Sequence, residues 1–196
     1  MIRIEKLQKA YNGRPVLAGF SLDLPDSGIV CLTGASGRGK TTLLRILAGL
    51  EAADGGRIEG LFARKIAYVF QEDRLLPWVT AAQNIRLAQP AGEKQLSPGA
   101  LMERAGLESG MADRYPDQLS GGQRRRVAFL RGIVFLANAP DGILLLDEPF
   151  NGLDEAAAQK LCQILRELPS SVLTVLVSHQ TAMLEGLDVT FFSMGD

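Results

Sequence analysis

Residues 31–42 run Cys-Leu-Thr-Gly-Ala-Ser-Gly-Arg-Gly-Lys-Thr-Thr, with three glycines, one lysine and a pair of threonines closing the stretch. Gly34, Gly39, Lys40 and Thr41 have the Walker A spacing, and the chemistry of such a loop is the holding of phosphate. Glycines at 34, 37 and 39 let main-chain amides close on an anion. Lys40 adds a compact positive charge, and the Thr41 hydroxyl is suited to Mg2+. With Ala35, Ser36, Arg38 and Thr42, the loop 34–42 is expected to cradle the phosphates of a nucleotide. A Gly-rich turn with a chance lysine is the plainer alternative, and the apolar strand before and the helix after speak against it.

Four further groups could do chemistry. Asp147 and Glu148 follow the apolar run Ile143 to Leu146. One carboxylate there suits a Mg2+ shell, and the next suits a general base or water-polarising role; a solvated turn is the alternative. His179, the single histidine, follows a second apolar run, Val172 to Val177. Gln71 ends the run Ile66 to Phe70, where its amide could ligate Mg2+ and sense an attacking water. Ser120, Gly121, Gly122 and Gln123 combine a hydroxyl, closely approaching amides and the start of a helix. That is a second phosphate-binding device or, more plainly, a helix cap.

These groups require strands that deliver them to one edge. Alternation at Ile2, Ile4 and Leu7, then at Phe20, Leu22 and Leu24, with Asn12-Gly13 between, predicts an antiparallel N-terminal sheet. Tyr11 beside that turn is either a ring packed on strand backbone or an aromatic face for adenine. Ile29 to Leu32 is a buried strand, and Leu43, Leu44, Leu47 and Leu50 predict a buried helical stripe. Gly55 to Gly60 reads as turn-rich. Residues 72–118 carry Pro77, Pro90, Pro98 and Pro116, which delimit helical patterns at Thr80 to Leu87 and Pro98 to Gly106. A small inserted helical lobe is expected at about 72–137. A helix from LSGGQ to about Ala137, another over Asp154 to Leu168, a short one from Gln180 and a strand at Val189 to Ser193 complete the pattern. Strands alternating with helices predict an α/β fold whose mainly parallel sheet carries nucleotide chemistry at its carboxyl ends.

Composition narrows the partners. The chain has 196 residues, 46% hydrophobic and 22% charged, which suits a single domain over 1–196 with a substantial core. A net charge of −1 does not favour nucleic acid as a partner. Arg124, Arg125 and Arg126 are expected to be a solvated helix face rather than a nucleic-acid patch. Cys31 and Cys162 lack metal or disulfide spacing and are expected as buried thiols in a reducing compartment. No apolar run reaches membrane-span length, and Met1 to Gln8 lacks a signal-peptide core. The expectation is a cytoplasmic protein that meets a membrane only by docking.

Tyr11, the loop 34–42, Gln71, LSGGQ at 119–123, ILLLDEP at 143–149 and His179 occur in an order that resembles the nucleotide-binding subunits of ATP-binding cassette (ABC) transporters. The resemblance spans nearly the whole chain and implies a P-loop NTPase core with an N-terminal antiparallel β lobe and an inserted helical lobe. It further implies an ATP hydrolase using Mg2+ held by Thr41, Gln71 and Asp147. Glu148 would be the catalytic base, His179 a γ-phosphate and water-orienting switch, and Tyr11 an adenine contact. Two anion devices but one triphosphate loop suggest a head-to-tail dimer, with each ATP between the Walker A loop of one copy and the LSGGQ of the other.

Partners follow from the same resemblance: transmembrane permease subunits at the cytoplasmic face of the membrane, and a solute-binding protein in the full system. RLLPW at 74–78 is similar to the segment following the Q-loop in importers of the nitrate, sulfonate and taurine group. Trp78 is then either a core ring or part of a socket for a permease helix. An exporter ATPase and a soluble mechanoenzyme are the alternatives. The chain's end soon after His179 leaves no expected regulatory domain. Arg38 in the loop and Asn151-Gly152 in the D-loop depart from the family's usual residues.

Overall fold

The computed structural model describes residues 1–90 and 96–195; residues 91–95 of the expected helical lobe and residue 196 lie outside them. Strands β1 (Ile2–Tyr11) and β2 (Arg14–Leu24) pair antiparallel across Asn12-Gly13. Both turn residues have positive φ, 50° and 76°, the twist that lets a two-residue connection join strands. Strand β3 (Gly28–Thr33) then leads through the glycine loop into helix α1 (Lys40–Leu47). Leu43, Leu44 and Leu47 are buried as expected, but Leu50 lies beyond the helix end and is 56% exposed. Gly49, at φ 67°, has already turned the chain away.

Residues 55–59 form strand β4 (Gly55–Glu59), which completes the three-stranded sheet in the order β2-β1-β4. The turn expected there is therefore a correction. Gly56 has φ +86°, and a Cβ on it would lie 2.5 Å from the Lys6 carbonyl oxygen. Glycine here serves close approach of two strands at a register shift, a use indistinguishable from a turn by composition.

The second sheet is built from β5 (Ile66–Val69), β6 (Ile143–Asp147), β7 (Leu173–Val177) and β8 (Val189–Ser193) around β3. Its order is β5-β6-β7-β3-β8, and every pair is parallel. Side-chain alternation divides the central strands between two cores. Leu144, Leu146 and Leu176 face the cluster that holds Phe129, Leu130 and Phe150. Ile143, Leu145 and Val175 face the cluster shared by α1 and the antiparallel sheet, with Ile2, Ile4 and Leu44. Burial on both faces is why these strands are continuously apolar in sequence. Replacing Leu145 by Ala would cost about 2–5 kcal/mol in lost transfer energy and cavity.

Between β5 and β6 lie α2 (Ala81–Arg86), α3 (Pro98–Arg104) and α4 (Gly121–Phe135); α5 (Glu155–Arg166) follows β6. α2, α3 and α4 pack on one another, and α4 also packs on β5. Thr80 and Gln83 cap α2 reciprocally, and Ser97 caps α3 ahead of Pro98 at its first turn. Single 3-10 turns at Ser109–Met111 and Pro116–Gln118, unmarked by any periodicity, lead into α4. Both cysteines are buried, and burial pushes the Cys31 thiol up to about 11, leaving it a small apolar core group.

Candidate functional site

Adjacent carboxyl ends of β6, β7 and β3 set Asp147-Glu148, Ser178-His179 and the glycine loop side by side. Glu148, His179 and most of the glycine loop border a cleft of about 590 Å³, while Asp147 is buried behind it against Thr41. Ser36, Gly37, Gly39, Lys40, Thr41 and Thr42 form its floor, Gln71, Glu148 and His179 one wall, and Tyr11 the outer rim. Glycine is forced at two loop positions. A Cβ on Gly34 would approach the Met194 carbonyl oxygen to 2.8 Å, and one on Gly39 would approach a Leu17 methyl to 2.8 Å. Gly39 is also the left-handed residue, at φ 84°, that opens α1. Gly34, Ala35 and Arg38 do not border the cleft, and Arg38 is exposed.

The Lys40 ammonium is buried and donates to the carbonyls of Gly34 (2.7 Å) and Ala35 (2.9 Å). Its third proton remains for an anion. Thr41 Oγ1 donates to Asp147 Oδ1 at 3.0 Å, while Tyr68 donates from its hydroxyl to Asp147 Oδ2 at 3.1 Å. Burial, then the charge of Asp147, push the Tyr68 phenol well above its ordinary range, so it remains a donor. Nothing in the sequence singles out Tyr68; its place on β5, two residues ahead of Phe70, looks like any other strand position.

Glu148 is the most unusual backbone in the cleft: a non-glycine residue at φ 51° directly after β6. Such conformations cost on the order of 1–3 kcal/mol and persist where the surroundings over-determine them. Here the Glu148 amide donates to Val177 O at 2.9 Å, and its Oε2 accepts from the His179 amide at 3.2 Å. The His179 Nε2 lies 3.4 Å from Glu148 Oε1. The two side chains expected to handle water therefore meet at the cleft wall.

Tyr11 is anchored by its hydroxyl, which donates to Glu51 Oε1, and its ring stays partly exposed at the rim. Val16, Asn151 and Gln180 border the cleft as well, beyond the residues expected there. Val16 has an ordinary strand residue's signature, Asn151 sits in a turn, and Gln180 precedes a short 3-10 helix, Thr181–Leu184.

LSGGQ does not join this cleft. Ser120 caps α4, its Oγ accepting from the Gln123 amide at 3.3 Å while Gln123 Oε1 accepts from the Ser120 amide at 2.8 Å. None of Ser120 to Gln123 borders the cleft. Ser120 and Gly121 remain exposed, so the capping role and a second role toward an external anion are compatible. Gly122 packs under the following D-loop, where a Cβ would meet Gly152 O at 3.2 Å.

The three arginines that follow are not a solvated face. Arg124 and Arg125 both pair with Asp73, and Arg126 donates to the carbonyls of Ala105 and Gly106. Their partners are main-chain oxygens and one distant carboxylate, which a local charge count does not register. Trp78, in contrast, is 71% exposed, which removes the core alternative for it. Asn84 holds its loop, donating to the carbonyls of Leu76, Val79 and Thr80 and accepting from the Leu76 amide. Among the described residues, no helix is long and apolar enough to cross a membrane.

Comparison with known proteins bears on the family and the fold. The family model described as ABC transporter matches residues 17–151. The chain is 42% identical over 180 residues to aliphatic sulfonates import ATP-binding protein SsuB 1 of Pseudomonas savastanoi pv. phaseolicola, covering 91% of this chain and 73% of that one. It is 38% identical to sulfate/thiosulfate import ATP-binding protein CysA of Bacillus cereus, over 96% of this chain and 56% of the relative. The dimeric post-hydrolysis structure of the ATP-binding cassette MJ0796 bound to ADP and Pi superposes with a TM-score of 0.82 at 26% identity, over 99% and 95% of the two chains.

Proposed function

The chain belongs to the ABC transporter family, as an ATP-hydrolysing cassette, and from that premise we propose that its two separated anion devices close on ATP only when two copies meet. It is the ATP-binding subunit of an importer, and relatives named as import proteins favour this over an exporter subunit or a soluble mechanoenzyme. The observation that carries the dimer reading is that LSGGQ lies outside the chain's own cleft while its serine and first glycine face solvent.

In this reading Lys40 and the loop amides 36–42 grip the outer phosphates, and α1 turns its positive end toward them. Tyr11 stacks on adenine with its ring fixed by Glu51. Thr41 and Asp147 present hard oxygen donors within hydrogen-bonding distance of each other, the donor chemistry Mg2+ requires, with Gln71 as the third candidate. When bound, the ion would neutralise charge on the phosphates. Glu148 accepts the proton of the attacking water, and His179, beside it, orients that water and the terminal phosphate. Ser120, Gly121 and Gly122 of the partner copy complete the phosphate site, so hydrolysis loosens the pair.

Permease subunits dock at the loop around Trp78, bringing the cassette to the cytoplasmic face of a membrane. The cargo we assign is a small sulfur oxyanion, delivered by a solute-binding protein, on the strength of the sulfonate and sulfate relatives. The direct test is Glu148→Gln. Turnover should fall by at least about a hundredfold with ATP affinity within a few-fold of the parent, because a base is lost and no phosphate ligand is. Retained turnover would remove Glu148 from this role.

A further inference from the structure

Arg125 touches none of the groups assigned to nucleotide, yet three residues bordering the cleft are bonded to it through their main chain. Its Nη2 donates to Gln71 O at 2.6 Å, and its Nη1 to Asn151 O at 2.9 Å and, more weakly, to Glu148 O at 3.5 Å. Its Nε donates to Asp73 Oδ1 at 3.3 Å, while Arg124 takes the other oxygen of the same carboxylate. Arg125 and Asp73 side chains are only 16% and 15% exposed, so their ion pair and the contact with Glu148 O are partly shielded from water, while the bonds to Gln71 O and Asn151 O lie nearer the surface.

We propose that Arg125 is a positioning residue for ATP hydrolysis. Its planar fork sets the segments carrying Gln71, Glu148 and Asn151 in fixed relation to one another and to the signature helix α4, from whose second turn it projects. The two half-sites of each copy then move as one body. This rests on the roles proposed above for Gln71 and Glu148.

The chemistry asks for arginine in particular. The three carbonyls belong to two segments that leave neighbouring strands, β5 and β6, and meet different nitrogens of the guanidinium, Gln71 O at Nη2 and the other two at Nη1. A guanidinium offers five donors in a rigid plane, whereas an ammonium offers one nitrogen. Glu148 adds a second reason. It is held at φ 51°, which an L residue rarely adopts, and a tie at its own carbonyl helps keep its carboxylate beside His179. Neither neighbour does the same. Arg124 reaches Leu119 O and Asp73, and Arg126 reaches the end of α3, so both serve α4 and its packing.

The experiment compares Arg125→Lys and Arg125→Gln with the parent and with Glu148→Gln, by steady-state ATP hydrolysis, fluorescent-nucleotide titration and thermal melting. Expected is a fall in kcat of about tenfold or more in both Arg125 variants, with nucleotide affinity within about twofold and melting within a few degrees. Lysine, which keeps charge and stem, should not rescue. Parent-like kcat in Arg125→Lys would overturn the inference, as would parallel loss of kcat, affinity and melting temperature, which marks a packing role only. If Glu148→Gln loses turnover while the Arg125 variants do not, this inference fails alone. If Glu148→Gln retains turnover, the assignment beneath it fails too.

Discussion

At the scale of single residues, the cleft works by giving each charged group a fixed partner. Asp147 is held from both sides, by Thr41 and by Tyr68, and a carboxylate so oriented needs little rearrangement to meet a metal ion. Tyr68→Phe removes one of those bonds without changing the ring. The Mg2+ concentration giving half-maximal ATP hydrolysis should rise by about tenfold or more, the usual cost of losing an outer partner of a metal-binding group. An unchanged Mg2+ dependence would show that Tyr68 only fills space. Lys40, Thr41, Asp147, Glu148 and His179 are legible in the amino-acid sequence because Lys40 and Thr41 close a glycine loop, Asp147 and Glu148 follow a continuous apolar run, and His179 is the single histidine after another. Tyr68 and Arg125 are not, since one looks like ordinary strand and the other like ordinary helix surface. The Arg125 partners are carbonyl oxygens about fifty and twenty-five positions away, and a main-chain oxygen leaves no mark on a sequence.

At the scale of elements, continuous apolar runs announce β3, β6 and β7 because both faces of the sheet are covered, prolines delimit α2 and α3, and a serine cap announces α4. Gly55 to Glu59 misleads for a physical reason: glycine that permits close strand approach has the same letters as glycine that permits a turn. The loop 74–80 is the element to which permease docking is assigned in the proposed reading. Asn84, 2% exposed and bonded to four main-chain groups of that loop, makes a rigid mount for the exposed Trp78. A large aromatic on a rigid loop is what a binding hot spot requires. Trp78→Ala should weaken association with the permease by about 2 kcal/mol, roughly thirtyfold, and lower permease-stimulated relative to unstimulated ATP hydrolysis. Binding equal to the parent's would place docking elsewhere on the surface.

At the scale of the whole molecule, the proposed reading is that one chain folds two halves of a site and keeps them apart. The Walker A cleft and the capped, exposed start of α4 are each well formed, and the chain shares its fold with a cassette whose structure is dimeric. ATP would then be bound by two surfaces, neither sufficient alone, which makes nucleotide occupancy control association. The most direct measurement is sedimentation velocity of Glu148→Gln with saturating ATP, run beside the same variant carrying Ser120→Arg. The account predicts the mass of two chains for the first and of one chain for the second, although both bind nucleotide. A single-chain mass for Glu148→Gln with ATP bound, or a pair that survives Ser120→Arg, would contradict it.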